Sequence, residues 1–255
     1  MSVHSTAIVG RNVRLAENVE VGAYAIIEGE IEIGRGTKIY PHVHIMGCGE
    51  IGENNLIHTG AVIGDVPQDL TFSSVSFSSF KIGSGNTVRE MVTIHRSAKE
   101  GGITKVGSNN FLMACSHIAY DCIVGDNVVM ANASLLAGNV RVFDQVFISG
   151  GVVIHQFCRI GRCSMISGNS RITKDVSPFS MVAERNEVYG INAVGMKRNN
   201  FSKDAIKELK EIYKIYYKKG ANKHNALEKI KSLGFVSNET KEFIDFIENS
   251  KRGVC

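Results

Sequence analysis

Aliphatic side chains recur every six residues through most of the first 172 positions. Steps of six from Val9 land on Leu15, Val21, Ile27, Ile33, Ile39, Ile45, Ile51, Ile57 and Ile63. After a gap the rhythm restarts at Ile82, Val88 and Ile94. From Val106 it runs through Leu112, Ile118, Val124, Met130, Leu136, Val142, Ile148, Ile154 and Ile160 to Ile166 and Ile172. Four residues after each aliphatic position the side chain is usually small, as at Ala25, Thr37, Ala61, Ser116, Cys122, Ser134, Cys158 and Ser170. Glycine often follows the aliphatic residue directly, as at Gly10, Gly22, Gly34, Gly52, Gly83, Gly107, Gly125 and Gly161. No helix has a period of six. A short strand plus a turn does, and three such hexads close a triangular coil of about 18 residues. The chain should therefore be mainly β, a parallel β-helix with its aliphatic residues stacked inside. The glycines are expected at turns that need a positive φ or at points of tight packing.

Two stretches interrupt the rhythm, residues 64–81 (GDVPQDLTFSSVSFSSFK) and 97–105 (SAKEGGITK). They read as loops thrown out of a rigid solenoid, a common place for binding residues. Beyond Pro178 the pattern becomes helical. Ser202 can cap a helix whose Ile206, Leu209, Tyr213 and Tyr216 recur every three or four residues, with Gly220 ending it. A second helix fits 224–233, followed by Gly234, and a third fits 238–249. The expected organisation is a β-helix over 1–190, with protruding loops 64–81 and 97–105, and a small helical domain over 191–255.

Charge follows the same division. Residues 195–255 hold 14 Lys/Arg and 8 Asp/Glu, whereas residues 1–194 hold 15 and 17. The positive helical tail favours an acidic partner. The N-terminal stretch lacks the basic and apolar regions of a signal peptide, and no run approaches 18 apolar residues. Six cysteines without paired C-x-x-C spacing read as free thiols in a reducing compartment. The expectation is a cytoplasmic protein with no integral membrane segment, no nucleic-acid partner and no metal. Cys115, His117 and Cys122 are close in sequence, but alternation along a coil should send them to different faces.

Six stretches narrow the function. In chain order they are GDVPQDLTF (64–72), VREMVTIHR (88–96), GGITKVGSNNFLM (101–113), SHIAYDCIVGD (116–126), ISGGVVIHQFCRIG (148–161) and GINAVGMKRNNFS (190–202). Together, and essentially end to end, they resemble the UDP-N-acetylglucosamine acyltransferases of lipid A biosynthesis. The resemblance implies a left-handed parallel β-helix and a homotrimer with its site between neighbouring subunits. It implies transfer of a 3-hydroxyacyl chain from acyl carrier protein to the 3-position of a UDP-linked glucosamine. No cofactor is implied beyond the phosphopantetheine arm that the carrier brings. By the same resemblance, Gln68, Asp69, Thr71, His95, Asn139, His155, Gln156, Asn192 and Arg198 stand at substrate-binding positions. Met165 and Gly168 stand at the acyl-chain pocket, where Gly168 fits a longer chain, and Lys197 and Arg198 stand where the carrier docks.

The chain departs from the family pattern at its centre. The family reads HIAHDC where this chain has HIAYDC, so Tyr120 occupies the place of the general-base histidine, beside Asp121. A free histidine titrates near 6.5 and a free tyrosine near 10, a gap worth about 5 kcal/mol of basicity. The adjacent Asp121 would raise the phenol further. Tyr120 then reads as a hydrogen-bond donor or positioning group, and His117 as the candidate substitute base. The family's LAGH is LAGN, giving Asn139 for a sugar-contacting histidine; the QDLK lysine is Thr71; an expected glutamate is Val194. The losses fall on the acceptor side. Three outcomes are open: the usual O-acylation, N-acylation of an amino-sugar nucleotide, whose neutral amine needs less help from a base, or a non-catalytic paralogue that binds carrier or nucleotide sugar.

Overall fold

A computed structural model describes residues 1–73, 77–217, 222–235 and 237–255. Its first 172 residues wind as a parallel β-solenoid with three faces. The first face is an 11-stranded sheet that begins at Ser2–Val3, the second a 9-stranded sheet from Ile8–Val9 to Arg171–Ile172, and the third an 8-stranded sheet from Arg14–Leu15 to Arg159–Ile160. Strands pair with their equivalents one coil away, as Ile27 does with Ile45 and Ile118 with Leu136. Every residue of the six-residue series from Val21 onward is buried. The small residues four positions later, Ala25, Thr37, Ala61, Ser116, Cys122, Ser134, Cys158 and Ser170, are buried as well.

The glycines divide the two expected roles differently from a simple turn rule. Gly34 and Gly107 do not adopt a positive φ; a Cβ on Gly34 would lie 2.5 Å from the Gly52 carbonyl carbon of the next coil. Their role is close approach between coils. The left-handed residue comes two positions later, and asparagine often fills it, as at Asn54, Asn109 and Asn127. Asparagine tolerates this conformation better than most residues with a side chain.

Asparagines also occupy part of the small-residue column. Asn86 donates its backbone N–H to Asn55 Oδ1 at 2.8 Å, Asn110 to Asn86 Oδ1 at 2.9 Å, and Val128 to Asn110 Oδ1 at 2.7 Å. This ladder satisfies backbone donors inside the solenoid, where an unmade hydrogen bond is costly.

The two interruptions leave the coil only briefly. The first departs after Val62–Asp65 and is back in strand at Ser79–Ile82; the second departs after Thr93–His95 and returns at Ile103–Val106. Residues 79–81 and 103–105 thus already belong to the third face. Residues 74–76 of the first excursion lie outside the described residues. The excursions grip each other: Gly101 N–H donates to the Phe77 carbonyl at 2.8 Å, and Phe77 N–H to Glu100 Oε2 at 3.0 Å. Phe80, 1 % exposed, lies against Gly49 and Gly64, where a Cβ would come within 2.6 Å and 2.4 Å of its ring.

Past the last coil, Ser180–Ala183 extends the first face and Glu187–Ile191 pairs with it antiparallel. Four helices follow among the described residues: α1 (Ala193–Arg198), α2 (Lys203–Tyr216), α3 (Lys223–Ser232) and α4 (Asn238–Glu248). Ser202 caps α2 as its sequence implies, its Oγ accepting from Ala205 N–H at 3.0 Å. The expected stop at Gly220 lies outside the described residues. α1 has no counterpart in the sequence reading, because six residues that include Gly195 carry no helical period. Met196, Leu209, Ile212, Tyr216, Ile230 and Phe243 bury together against Phe179 of the solenoid. Arg162 bridges to Glu242 at 2.6 Å, which fastens α4 to the coils.

Candidate functional site

The solenoid carries His117, Tyr120 and Asp121 on a single corner because the strand His117–Ile118 ends the second face there. Ile118 points into the core at 0 % exposure, which turns His117 outward and starts the corner two residues before Asp121. Asp121 takes the left-handed turn position, with a φ of 58°. The equivalent corner of the next coil is Gly138 and Asn139, and Asn139 N–H donates to the Tyr120 carbonyl at 2.9 Å. The Tyr120 ring lies over Gly138, where a Cβ would be 2.5 Å from a ring carbon. Glycine is what gives the ring its space.

His95 and His117 form a second group one coil apart, with ring centroids 5.0 Å from each other and planes at 84°. Thr93 Oγ1 shares a 2.7 Å hydrogen bond with His117 Nδ1. His95 is 5 % exposed, and its Nδ1 has no partner among the described residues. Burial lowers the His95 imidazole. Burial, helped by the neighbouring His95, holds His117 down at about 4. His117 is therefore neutral near pH 7, free to accept a proton, but a weaker base than an ordinary histidine.

That shift has a consequence for stability. The folded-state pKa of His117 lies below the unfolded value near 6.5, so the unfolded chain takes up the proton first. The contribution to stability is whole above about pH 6.5 and is lost as pH falls from there to about 4, a loss on the order of 3 kcal/mol. His117→Gln should flatten this part of the curve. Urea midpoints measured between pH 7.5 and pH 4 check it, and equal slopes in both proteins would count against the assignment.

The first excursion brings Asp69 to the same corner. Its carboxylate accepts from Thr71 N–H at 2.9 Å and Thr71 Oγ1 at 2.7 Å. These bonds hold Asp69 below the usual carboxylate range, with a smaller part from the nearby Tyr120 hydroxyl. For Tyr120 the result is the reverse. Burial first, then the nearby Asp69 carboxylate, then Asp121, push its phenol upward. Tyr120 is a donor, not a base, in this setting. Thr71, which stands where the family has a lysine, closes the Asp69 turn.

Asp121 is held by the second excursion. Its carboxylate accepts from Ser97 Oγ at 2.5 Å and faces Lys99 Nζ at 3.7 Å, and its backbone N–H donates to Thr104 Oγ1 at 2.9 Å. Lys99 Nζ also donates to Asn139 Oδ1 at 2.9 Å. Nothing in the sequence singles out Lys99 or Ser97, because a loop's composition does not say which coil it folds onto.

The remaining candidates lie elsewhere. His155 and Gln156 are exposed at the end of the strand Val153–Ile154, further along the same edge, and Gln68 is exposed in the first excursion. Met165, Asn192 and Arg198 line a groove of about 490 Å³ with Phe147, Met181 and Val194. Met165 belongs to the first face, His117 to the second. Gly168 is exposed at the corner between those faces, with only the Gly150 carbonyl within 3.4 Å of a Cβ. Asn192 has a structural occupation: it caps α1 through Gly195 N–H at 2.9 Å and donates to the Cys163 carbonyl at 2.9 Å. Lys197 and Arg198 form the last turn of α1. A single chain therefore separates the Tyr120 corner from the Met165–Arg198 groove.

Cys122 is buried in the core and Cys115 is exposed at a corner. Among the described residues no group of three His, Cys, Asp or Glu side chains is placed to hold a metal ion, and no helix is long and apolar enough to cross a membrane.

Comparison with known proteins adds three findings. Residues 175–255 match the family model described as UDP N-acetylglucosamine O-acyltransferase, domain 2. The acyl-[acyl-carrier-protein]–UDP-N-acetylglucosamine O-acyltransferase of Thermodesulfovibrio yellowstonii is 44 % identical over 255 residues, covering 99 % of this chain and 98 % of that protein. The crystal structure of a UDP-N-acetylglucosamine acyltransferase from Bacteroides fragilis superposes with a TM-score of 0.95 at 36 % identity, covering 99 % of both chains.

Proposed function

The chain belongs to the UDP-N-acetylglucosamine O-acyltransferase family, and from that premise we propose that it moves a 3-hydroxyacyl chain from acyl carrier protein to the 3-hydroxyl of UDP-N-acetylglucosamine. The observation that carries this reading is the corner where Tyr120, Asp121 and Asn139 come together just past His117, with Ser97 and Lys99 of the second excursion bonded to it and Asp69 of the first beside Tyr120.

In the reaction the acceptor oxygen attacks the thioester carbonyl. A C–O bond forms, the C–S bond breaks, and the acceptor's proton passes by way of a base to the departing phosphopantetheine thiolate. Tyr120 and Asp121 shape the acceptor corner, and neutral His117 is the group free to take the proton. His95, His155, Gln156, Gln68 and Asn139 are proposed substrate contacts. The Met165–Arg198 groove takes the acyl chain, with Gly168 leaving room at the corner, and Lys197 and Arg198 face the acidic carrier. Because the corner and the groove lie on different faces of one chain, a homotrimer with its site between subunits fits this division. The protein works in the cytoplasm and uses no cofactor of its own.

N-acylation of a 3-amino sugar nucleotide is the second reading. It is favoured by one observation: burial and the nearby Asp69 carboxylate raise the Tyr120 phenol, so position 120 offers no base. A neutral amine needs less help than a hydroxyl. Mass spectrometry of mixtures containing 3-hydroxyacyl carrier proteins and either UDP-N-acetylglucosamine or its 3-amino analogue separates the two. Acylated product from the hydroxyl sugar is the expected result. Product from the amine alone would establish the second reading, and product from neither would point to a non-catalytic binder.

A further inference from the structure

The second excursion places one cation beside the Tyr120 corner, and its backbone is tightly held. Lys99 N–H donates to Ser97 Oγ at 3.0 Å, and Gly102 N–H returns to the Lys99 carbonyl at 2.9 Å. Gly101 takes a φ of +65° to close that turn. Ser97 is fully buried, and its hydroxyl also donates to Asp121. The lysine stem therefore starts from a fixed point, although the side chain is 66 % exposed.

Its ammonium reaches two groups of the corner, Asn139 Oδ1 at 2.9 Å and Asp121 Oδ2 at 3.7 Å. An ammonium only donates hydrogen bonds. The amide oxygen of Asn139 must then face Lys99, and its nitrogen must face away. This settles the amide orientation by chemistry, where the oxygen and nitrogen would otherwise be interchangeable. Among the described residues the Asn139 amide nitrogen has no hydrogen-bond partner, so its two protons remain available. Asn139 itself is fixed at a φ of 60° and tied to Tyr120 through the backbone.

We propose that Lys99 is a positioning residue of the acceptor site: it locks Asn139 so that the amide nitrogen is offered as a hydrogen-bond donor to an oxygen of the sugar nucleotide. This rests on the transferase reading above. A histidine at position 139 can donate or accept according to its tautomer. The locked asparagine presents its amide nitrogen, which can only donate, so the pair selects a sugar nucleotide with an oxygen at that point. Asp121 serves the pair by drawing the ammonium toward the corner, and Ser97 aligns Asp121.

The test compares wild type with Lys99→Met, Lys99→Arg, Asn139→Ala and the Lys99→Met/Asn139→Ala double variant. Steady-state kinetics and calorimetric titration with UDP-N-acetylglucosamine are the readouts. Lys99→Met should raise both KM and Kd for the nucleotide sugar about tenfold, the loss of one net hydrogen bond, while leaving KM for the acyl carrier protein unchanged. Lys99→Arg should recover most of the affinity. In the Asn139→Ala background Lys99→Met should add less than about twofold, since its effect passes through the amide. Unchanged KM and Kd in Lys99→Met would overturn the proposal, as would a tenfold effect that persists without Asn139. Transfer by the wild type with no Lys99→Met effect sinks the positioning role and leaves the transferase reading standing. No transfer by the wild type, with nucleotide binding still weakened by Lys99→Met, sinks the transferase reading and leaves the positioning role. A wild type that binds no UDP-N-acetylglucosamine sinks both.

Discussion

Replacing Tyr120 by histidine is expected to raise the rate of hydroxyl acylation by about 10²- to 10⁴-fold, the range that general-base help supplies. Three features of the corner support a gain of this size. Burial and the Asp69 carboxylate hold the phenol proton in place, so the wild-type side chain contributes no basicity near pH 7. An imidazole is smaller than a phenol ring and fits over Gly138, which already accepts the larger one. Asp121 waits beside it, its side chain only 7 % exposed and already aligned by Ser97. A carboxylate so placed can orient an imidazole and stabilise its protonated form. The pH profile distinguishes a true base from a general improvement. kcat/KM of Tyr120→His should acquire an acid limb with an apparent pKa near 6 to 7. The wild type should lack that limb. With the 3-amino acceptor the gain should be small, because an amine does not need the base. An unchanged rate on the hydroxyl sugar would mean that position 120 is not where the proton leaves, and would favour the amine acceptor.

This outcome also bears on how far the chain could be understood before its structure. The coil was legible because the six-residue rhythm reports a repeated physical demand: each Ile or Val at those positions fills the same slot in a stacked core. The corner of His117, Tyr120 and Asp121 was legible because three residues of one turn stay together in any coil. The partners that decide their chemistry were not. Asp69 and Thr71 are named by the resemblance alone; that Asp69 comes beside Tyr120, 51 positions later, depends on the path of an excursion whose own pattern does not show it. Lys99 was invisible for the same reason. Asn192 shows the opposite effect. The resemblance gives it a substrate role, whereas its amide is occupied by α1 and the Cys163 carbonyl, so any substrate contact must share those bonds.

Phe80→Ala should destabilise the solenoid by about 3 to 5 kcal/mol, the usual loss for truncating a buried phenylalanine. The reason lies in how the coils accommodate the two excursions. Phe80 stands at the start of the strand Ser79–Ile82, where the chain rejoins the third face. Its ring fills space that exists only because Gly49 and Gly64 have no side chains, and Gly64 itself adopts a φ of +83°. Neither backbone can close over the gap easily: Gly49 pairs with Ile31 on one side and Phe80 on the other, and Gly64 lies between Ile63 and Asp65, which pair with Ile94 and His95. The cavity should therefore persist instead of collapsing, which places the cost toward the upper end of the range. Phe80→Leu retains most of the volume and should cost less than half as much. Denaturant midpoints at one fixed protein concentration give the comparison, with the concentration fixed because assembly would shift apparent stability. The effect should also reach the acceptor corner. Asp69 follows Gly64 by five residues and Lys99 is tied through Gly101 to Phe77, so loosening Phe80 frees both excursions at once. Phe80→Ala should then weaken UDP-N-acetylglucosamine binding at temperatures where the coils remain folded. A variant that loses stability but binds the nucleotide as tightly as wild type would show that the excursions are held by their mutual hydrogen bonds and not by the ring beneath them.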